Sequence, residues 1–158
     1  MFNPNLNLGG TLSTANTSLI AGTTSTYTTG AASVCIIDGK FGTALAAQTN
    51  TASPTVDATT GAAFVALADD DACVLVFGVN AAGAIKVSQG KSTTIEAGTT
   101  TLVTAPSFPS IPDDFCPIGY AIIKNDSGSA FTTGTTAWSA IDSTFVDIGM
   151  MPDRPQES

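Results

Sequence analysis

Two runs, Cys73-Val74-Leu75-Val76-Phe77-Gly78-Val79 and Ile118-Gly119-Tyr120-Ala121-Ile122-Ile123-Lys124, are β-branched and aromatic with almost no polar alternation. That pattern belongs to strands covered on both faces. Around them, turn residues cut the chain into short pieces. Val34-Cys35-Ile36-Ile37, then Asp38-Gly39, then Lys40-Phe41 reads as a hairpin, because Asp-Gly supplies the positive φ angles of a type I′ turn. Asn80-Ala81-Ala82-Gly83 turns the first apolar run back along the alternating segment Ala84 to Gln89, and Asn125-Asp126-Ser127-Gly128 turns the second toward Ser129-Ala130-Phe131.

Ala62 to Leu67, Thr99 to Thr104 and Phe145 to Ile148 are further strand candidates. A helix over Ala62 to Ala72 competes with the first of these, but Gly61 and Asp69-Asp70-Asp71 favour a strand entering a solvated loop. Pro106, Pro109, Pro112 and Pro117 mark a stretch that cannot join a sheet interior, since proline lacks the donor a ladder needs. With no heptad, no solenoid period and no βαβ alternation, the chain is expected to be all-β. The expected architecture is an antiparallel β-sandwich or jelly-roll-like single domain over residues 31–149, followed by a proline-bearing tail at 150–158.

Residues 1–30 hold Asn3, Asn5 and Asn7, then Gly9-Gly10, then a Thr/Ser-rich run, with few large apolar side chains. A segment of this kind buries too little to offset its backbone entropy alone. It reads as an extended N-terminal arm ordered by lying on something else; a disordered tail is the other reading of the same composition.

Composition then narrows the function. The chain of 158 residues has no histidine and five Lys plus Arg, and 11% of its residues are charged, against about 25% in ordinary domains. Hydroxyls, amides and small side chains must cover the surface, and these cost less to desolvate than charges, as suits a protein packed against other proteins. A formal charge of −8 with scattered cations argues against nucleic acid. No apolar stretch approaches the roughly 20 residues that span a bilayer, so a soluble protein with no membrane partner is expected. The N-terminus lacks a basic and an apolar signal region, which points to a protein made and kept in a cytoplasm. Cys35, Cys73 and Cys116 are odd in number and form no CxxC, so buried free thiols are favoured over a disulfide.

Without histidine, Ser-His and Cys-His nucleophiles and histidine-bearing zinc sites are excluded. Gly90-Lys91-Ser92 lacks the earlier glycine of a phosphate loop, Ile85 standing there instead, and reads as a hairpin exit. Asp69-Asp70-Asp71 and Asp113-Asp114 are potential Ca²⁺ donors without the spaced pattern of a calcium loop, so solvated turns are the stronger reading. Paired acids hydrolyse glycosides only when they face each other across a cleft, which spacing does not show. Trp138, Tyr27 and Tyr120 suit sugar stacking, but a single tryptophan in a β-domain suits a core or interface anchor better. The expectation is no catalytic residue, no cofactor, no metal and no small-molecule substrate.

Three stretches carry a resemblance. They are Phe108-Pro109-Ser110-Ile111-Pro112-Asp113-Asp114-Phe115-Cys116-Pro117 running on through Lys124, the ending Met150-Met151-Pro152-Asp153-Arg154-Pro155, and Phe77 to Val87 followed by Gln89-Gly90. Over about the last two-thirds of its length the chain resembles small virion structural proteins of tailed bacteriophages, most of all capsid decoration (cement) proteins. The resemblance implies a β-rich homotrimer on the outer capsid surface of a virion assembled in the host cytoplasm. There it would bind the major capsid protein and bridge neighbouring subunits. The arm would then reach those neighbours, with Phe2, Leu6, Leu8 and Leu12 as candidate partner contacts. The alternative is a tail or head fibre-associated adhesion module binding a host surface glycan or protein.

Overall fold

The two apolar runs pair with each other and form the centre of the molecule. The computed structural model describes residues 12–13, 17–37, 39–149, 151–152 and 154–156. In chain order its strands are β1 (Leu12–Ser13), β2 (Leu19–Ala21), β3 (Thr26–Thr29), β4 (Cys35–Ile37), β5 (Lys40–Phe41), β6 (Gln48–Ala52), β7 (Asp71–Asn80), β8 (Ile85–Gln89), β9 (Thr93–Thr94), β10 (Phe115–Asn125) and β11 (Asp142–Asp147). A 3-10 turn occupies Trp138–Ala140. The fold is all-β, and its strands pair antiparallel, as expected.

The largest sheet runs β11-β10-β7-β8, with β9 on the same side of β7 as β8. Side chains alternate across it. Cys73, Leu75, Phe77 and Val79 of β7 face one buried cluster, Val74 and Val76 the other. The first cluster is closed by two three-stranded sheets, β2-β3-β6 and β1-β4-β5, which contribute Leu19, Tyr27, Cys35 and Ile37. This is the sandwich. Among the described residues the second cluster has no opposing sheet. Irregular chain covers it, with Phe108, Ile111, Ile148 and Met151 against Tyr120 and Ile122. The tail is fastened there, because the Tyr120 hydroxyl donates to the Gln156 carbonyl at 2.8 Å and accepts from the Gln156 N–H at 3.0 Å.

Several expected boundaries are corrected. Pro106, Pro109 and Pro112 stay outside the sheet, but Pro117 lies inside β10. It is tolerated at a bulge between Pro117 and Gly119, and β11 begins to pair with β10 only at Gly119. The bulge changes the facing of the strand. Cys116 and Ile118 point to the first cluster, whereas Tyr120 and Ile122, also even-numbered, point to the second. Ala62 to Leu67 is not a strand and forms only single bridges, Ala63 to Val56 and Leu67 to Phe131. In its middle the side-chain amide of Gln89 takes the place of a ladder partner, accepting from Val65 N–H at 2.9 Å and donating to Val65 C=O at 2.8 Å. Thr99 to Thr104 is irregular too, since a turn through Gly98 (φ 69) leaves one bridge, Ile95 to Leu102, and β7 pairs with Thr93–Thr94 instead. The last strand begins earlier than expected, at Asp142.

The arm boundary at residue 30 is also corrected. Residues 17–30 belong to the sandwich, where Leu19 and Tyr27 are each 1% exposed. The apolar poverty of this segment is offset by specific anchors. Asp147 Oδ1 accepts from the Thr17 hydroxyl and the Leu19 N–H, both at 2.8 Å, and Trp138 donates from Nε1 to the Thr26 carbonyl at 2.8 Å. Leu12 lies opposite Ile36 in the β1–β4 pair, so the first strand is built into a sheet. Phe2, Leu6 and Leu8 lie outside the described residues.

Candidate functional site

Two of the acidic side chains of the Asp69-Asp70-Asp71 run hold the fold. Asp69 accepts from Gly128 N–H at 2.8 Å and Asp70 from Gly98 N–H at 3.0 Å, so these carboxylates tie neighbouring turns together. Among the described residues no group of three or more His, Cys, Asp or Glu is placed to hold a metal ion. Gly90, expected at a hairpin exit, follows β8 and donates to the Val74 carbonyl at 2.7 Å. Trp138, Tyr27 and Tyr120 are all buried, so none presents a ring face to a sugar.

Burial governs the Cys73 thiol. It pushes the Cys73 thiol from 9.0 up to about 12, and it raises the Tyr27 hydroxyl as well. Between those values the unfolded chain has released the Cys73 proton and the native protein keeps it. The stabilisation is therefore complete below pH 9.0 and fades as pH rises toward about 12. Thermal unfolding midpoints are expected to fall progressively over that interval, and Cys73→Ala is expected to flatten the decline; an equally steep decline in the variant would assign it elsewhere.

Exposed large apolar side chains stand at several places, Ile20, Phe41 and Val103 among them, and two of them, Val56 and Val65, lie together along the outer side of β8. Residues 56–67 run beside this strand and occupy its edge: Ala58 N–H donates to Val87 C=O at 2.7 Å, and Asp57 Oδ1 accepts from Gln89 N–H at 3.1 Å. The other Asp57 oxygen accepts from the Thr60 N–H at 3.2 Å and the Thr60 hydroxyl at 2.8 Å, which fixes the loop from within. Asp57-Ala58-Thr59-Thr60-Gly61 carried this signal in sequence, as an acid before hydroxyls and a turn glycine. With its backbone pinned on Gln89, Val65 leaves its side chain 76% exposed, and Val56 is 47% exposed.

Two clefts open on either side of Asp57. One, of about 430 Å³, is lined by Ala62, Ala63, Val65 and Lys91 among others. The other, of about 470 Å³, is lined by Pro54, Val56, Ile85, Lys86 and Asp114 among others. The result is a rigid flank of valines and alanines on which two of the chain's five cations sit. Composition anticipated its character but not its position, since the position depends on Gln89 and Asp57 reaching across the strand edge.

Two other sheet edges are blunted. β5 has two residues, one a lysine. β6 is interrupted at Asn50 (φ 48), where the Thr28 hydroxyl accepts from Asn50 N–H at 3.0 Å in place of a ladder carbonyl. At these two edges, contacts with another protein are thus better served by exposed side chains than by strand addition. No family model, curated protein or solved structure matches the chain, which leaves its own surface as the ground for a functional reading.

Proposed function

We propose that this is a phage capsid decoration protein that binds the outer surface of the major capsid shell and stabilises it by bridging neighbouring subunits, most simply as a homotrimer. The observation that carries this reading is the pinned β8 flank, on which Val56 and Val65 stand exposed, in a chain of which only 11% is charged. Docking such a surface removes apolar area from water at about 25 cal/mol per Å². Each contact need not be tight, because a trimer engaging several subunits gains about 10²–10⁴ in avidity. The net charge of −8 suits the outside of a shell better than its DNA-lined interior.

The fibre-associated alternative draws on the same clefts, which have room for a small host ligand. Burial of Trp138, Tyr27 and Tyr120 removes the aromatic platform a glycan would favour. Copy number separates the two, since a cement protein covers the shell and a fibre module occurs at few positions. Gel densitometry of virions that shows only a few copies would remove the cement reading. On the shell, Val65→Asp is expected to weaken binding about tenfold, or 1.4 kcal/mol, with the isolated protein's unfolding midpoint unchanged. Undiminished occupancy would take the β8 flank out of the interface.

A further inference from the structure

We infer that Cys35 and Cys116 are a buried dithiol that a two-electron oxidant, a hydroperoxide, converts to a disulfide joining the small β1-β4-β5 sheet to the central strand β10. The pair is built by the fold. Cys35 on β4 and Cys116 on β10 come from opposite layers of the sandwich, belong to one buried cluster and are 1% and 0% exposed. Strands β4 and β10 pack against each other, and the interaction of the two thiols draws Cys35 below the ordinary thiol value and raises Cys116 above it. The two sulfurs are thus differentiated, with Cys35 the one that ionises first.

Cys73 is kept apart. Cys116 lies opposite Val79 on β7, and Cys73 lies opposite Ile123 further along the same pair of strands. Six residues of extended chain separate Val79 from Cys73, a distance of about 20 Å at about 3.3 Å per residue. No native motion short of unfolding brings Cys73 to Cys116, whereas Cys35 is already beside it.

The chemistry balances without a further reagent. The Cys35 thiolate attacks the distal peroxide oxygen, the O–O bond breaks, and sulfenic acid forms with release of one water from hydrogen peroxide. The Cys116 sulfur then attacks the Cys35 sulfur, the S–O bond breaks, a second water leaves, and the S–S bond forms. Two electrons pass from the thiols to the peroxide, and both thiol protons end in water. Access comes from local opening, because the strands that flank β4 are two residues each. A reducing cytoplasm keeps the pair open, and an oxidising exterior closes it. The inference is independent of the capsid reading, since its test uses the isolated protein.

That test is oxidation of the reduced, folded full-length chain with hydrogen peroxide, then acid quenching, unfolding and alkylation. Peptide mapping is expected to show a Cys35–Cys116 linked peptide lighter by two hydrogens than the sum of its parts, with Cys73 alkylated. Cys35→Ser is expected to abolish the link, and Cys73→Ser to preserve it. The oxidised protein is expected to unfold at a higher temperature and to return to the starting midpoint with reductant. Three alkylatable thiols after native oxidation, a bridge through Cys73, or a bridge that lowers the midpoint would each overturn the assignment.

Discussion

Trp138→Ala is expected to cost about 3–5 kcal/mol of folding stability, measured as a shift in urea unfolding. The indole is 3% exposed and stacks against two rings, Phe131 at 5.4 Å and Phe145 at 5.4 Å between centroids. Its backbone N–H also donates to Thr24 C=O at 3.0 Å, and its Nε1 to Thr26 C=O. One residue therefore fills the core and holds the β2–β3 hairpin against it. Trp138→Phe keeps a ring and removes one of the two hydrogen bonds on the Thr26 carbonyl, which still accepts from the Gly22 N–H at 2.9 Å, so a smaller loss of about 1 kcal/mol is expected. Equal losses for the two variants would mean that the hydrogen bond, and not the ring volume, supplies the anchor.

Gly78→Ala is expected to be as damaging for the opposite reason, costing about 3 kcal/mol by overpacking. A methyl at this position runs into the Phe115 ring and lies 2.7 Å from the Cys116 carbonyl oxygen. Phe115 is 2% exposed, and Cys116 is bound into the ladder, so neither neighbour can yield. Gly128→Ala is the control. Nothing lies within 4 Å of its added methyl, but its φ of 74 leaves about 1 kcal/mol of backbone cost. Similar losses at both glycines, read by thermal unfolding, would remove the steric account of Gly78.

These two predictions also mark how far the sequence could be read. The centre was legible because β7 and β10 are apolar on both faces, and the 37–40 and 80–85 turns carry glycines whose positive φ the structure uses, Gly39 at 73 and Gly83 at 80. The third sheet was not legible. Its strands are Leu-Ile-Ala, Thr-Tyr-Thr-Thr and Gln-Thr-Asn-Thr-Ala, with too few apolar positions to announce a buried face. What secures them is remote, since Asp147 and Trp138 lie 128 and 112 residues from their partners Leu19 and Thr26. The β8 flank was hidden for the same reason, because Gln89 meets Val65 across a strand edge. Free, buried cysteines were expected from their apolar surroundings, whereas the meeting of Cys35 with Cys116 arises only when the layers close.

The irregularity in β10 reaches further than its own strand. Taking out Ile118 would let the pairing with β7 run evenly and would leave every neighbouring side chain on its present face. What would vanish, with the Ile118 side chain of the first cluster, is the carbonyl that Ile148 grips, through its N–H at 3.1 Å, where the chain leaves β11. The surplus residue is a mooring: it gives the final stretch a fixed point of departure toward Tyr120, and without it the cover over Val74 and Val76 would start adrift.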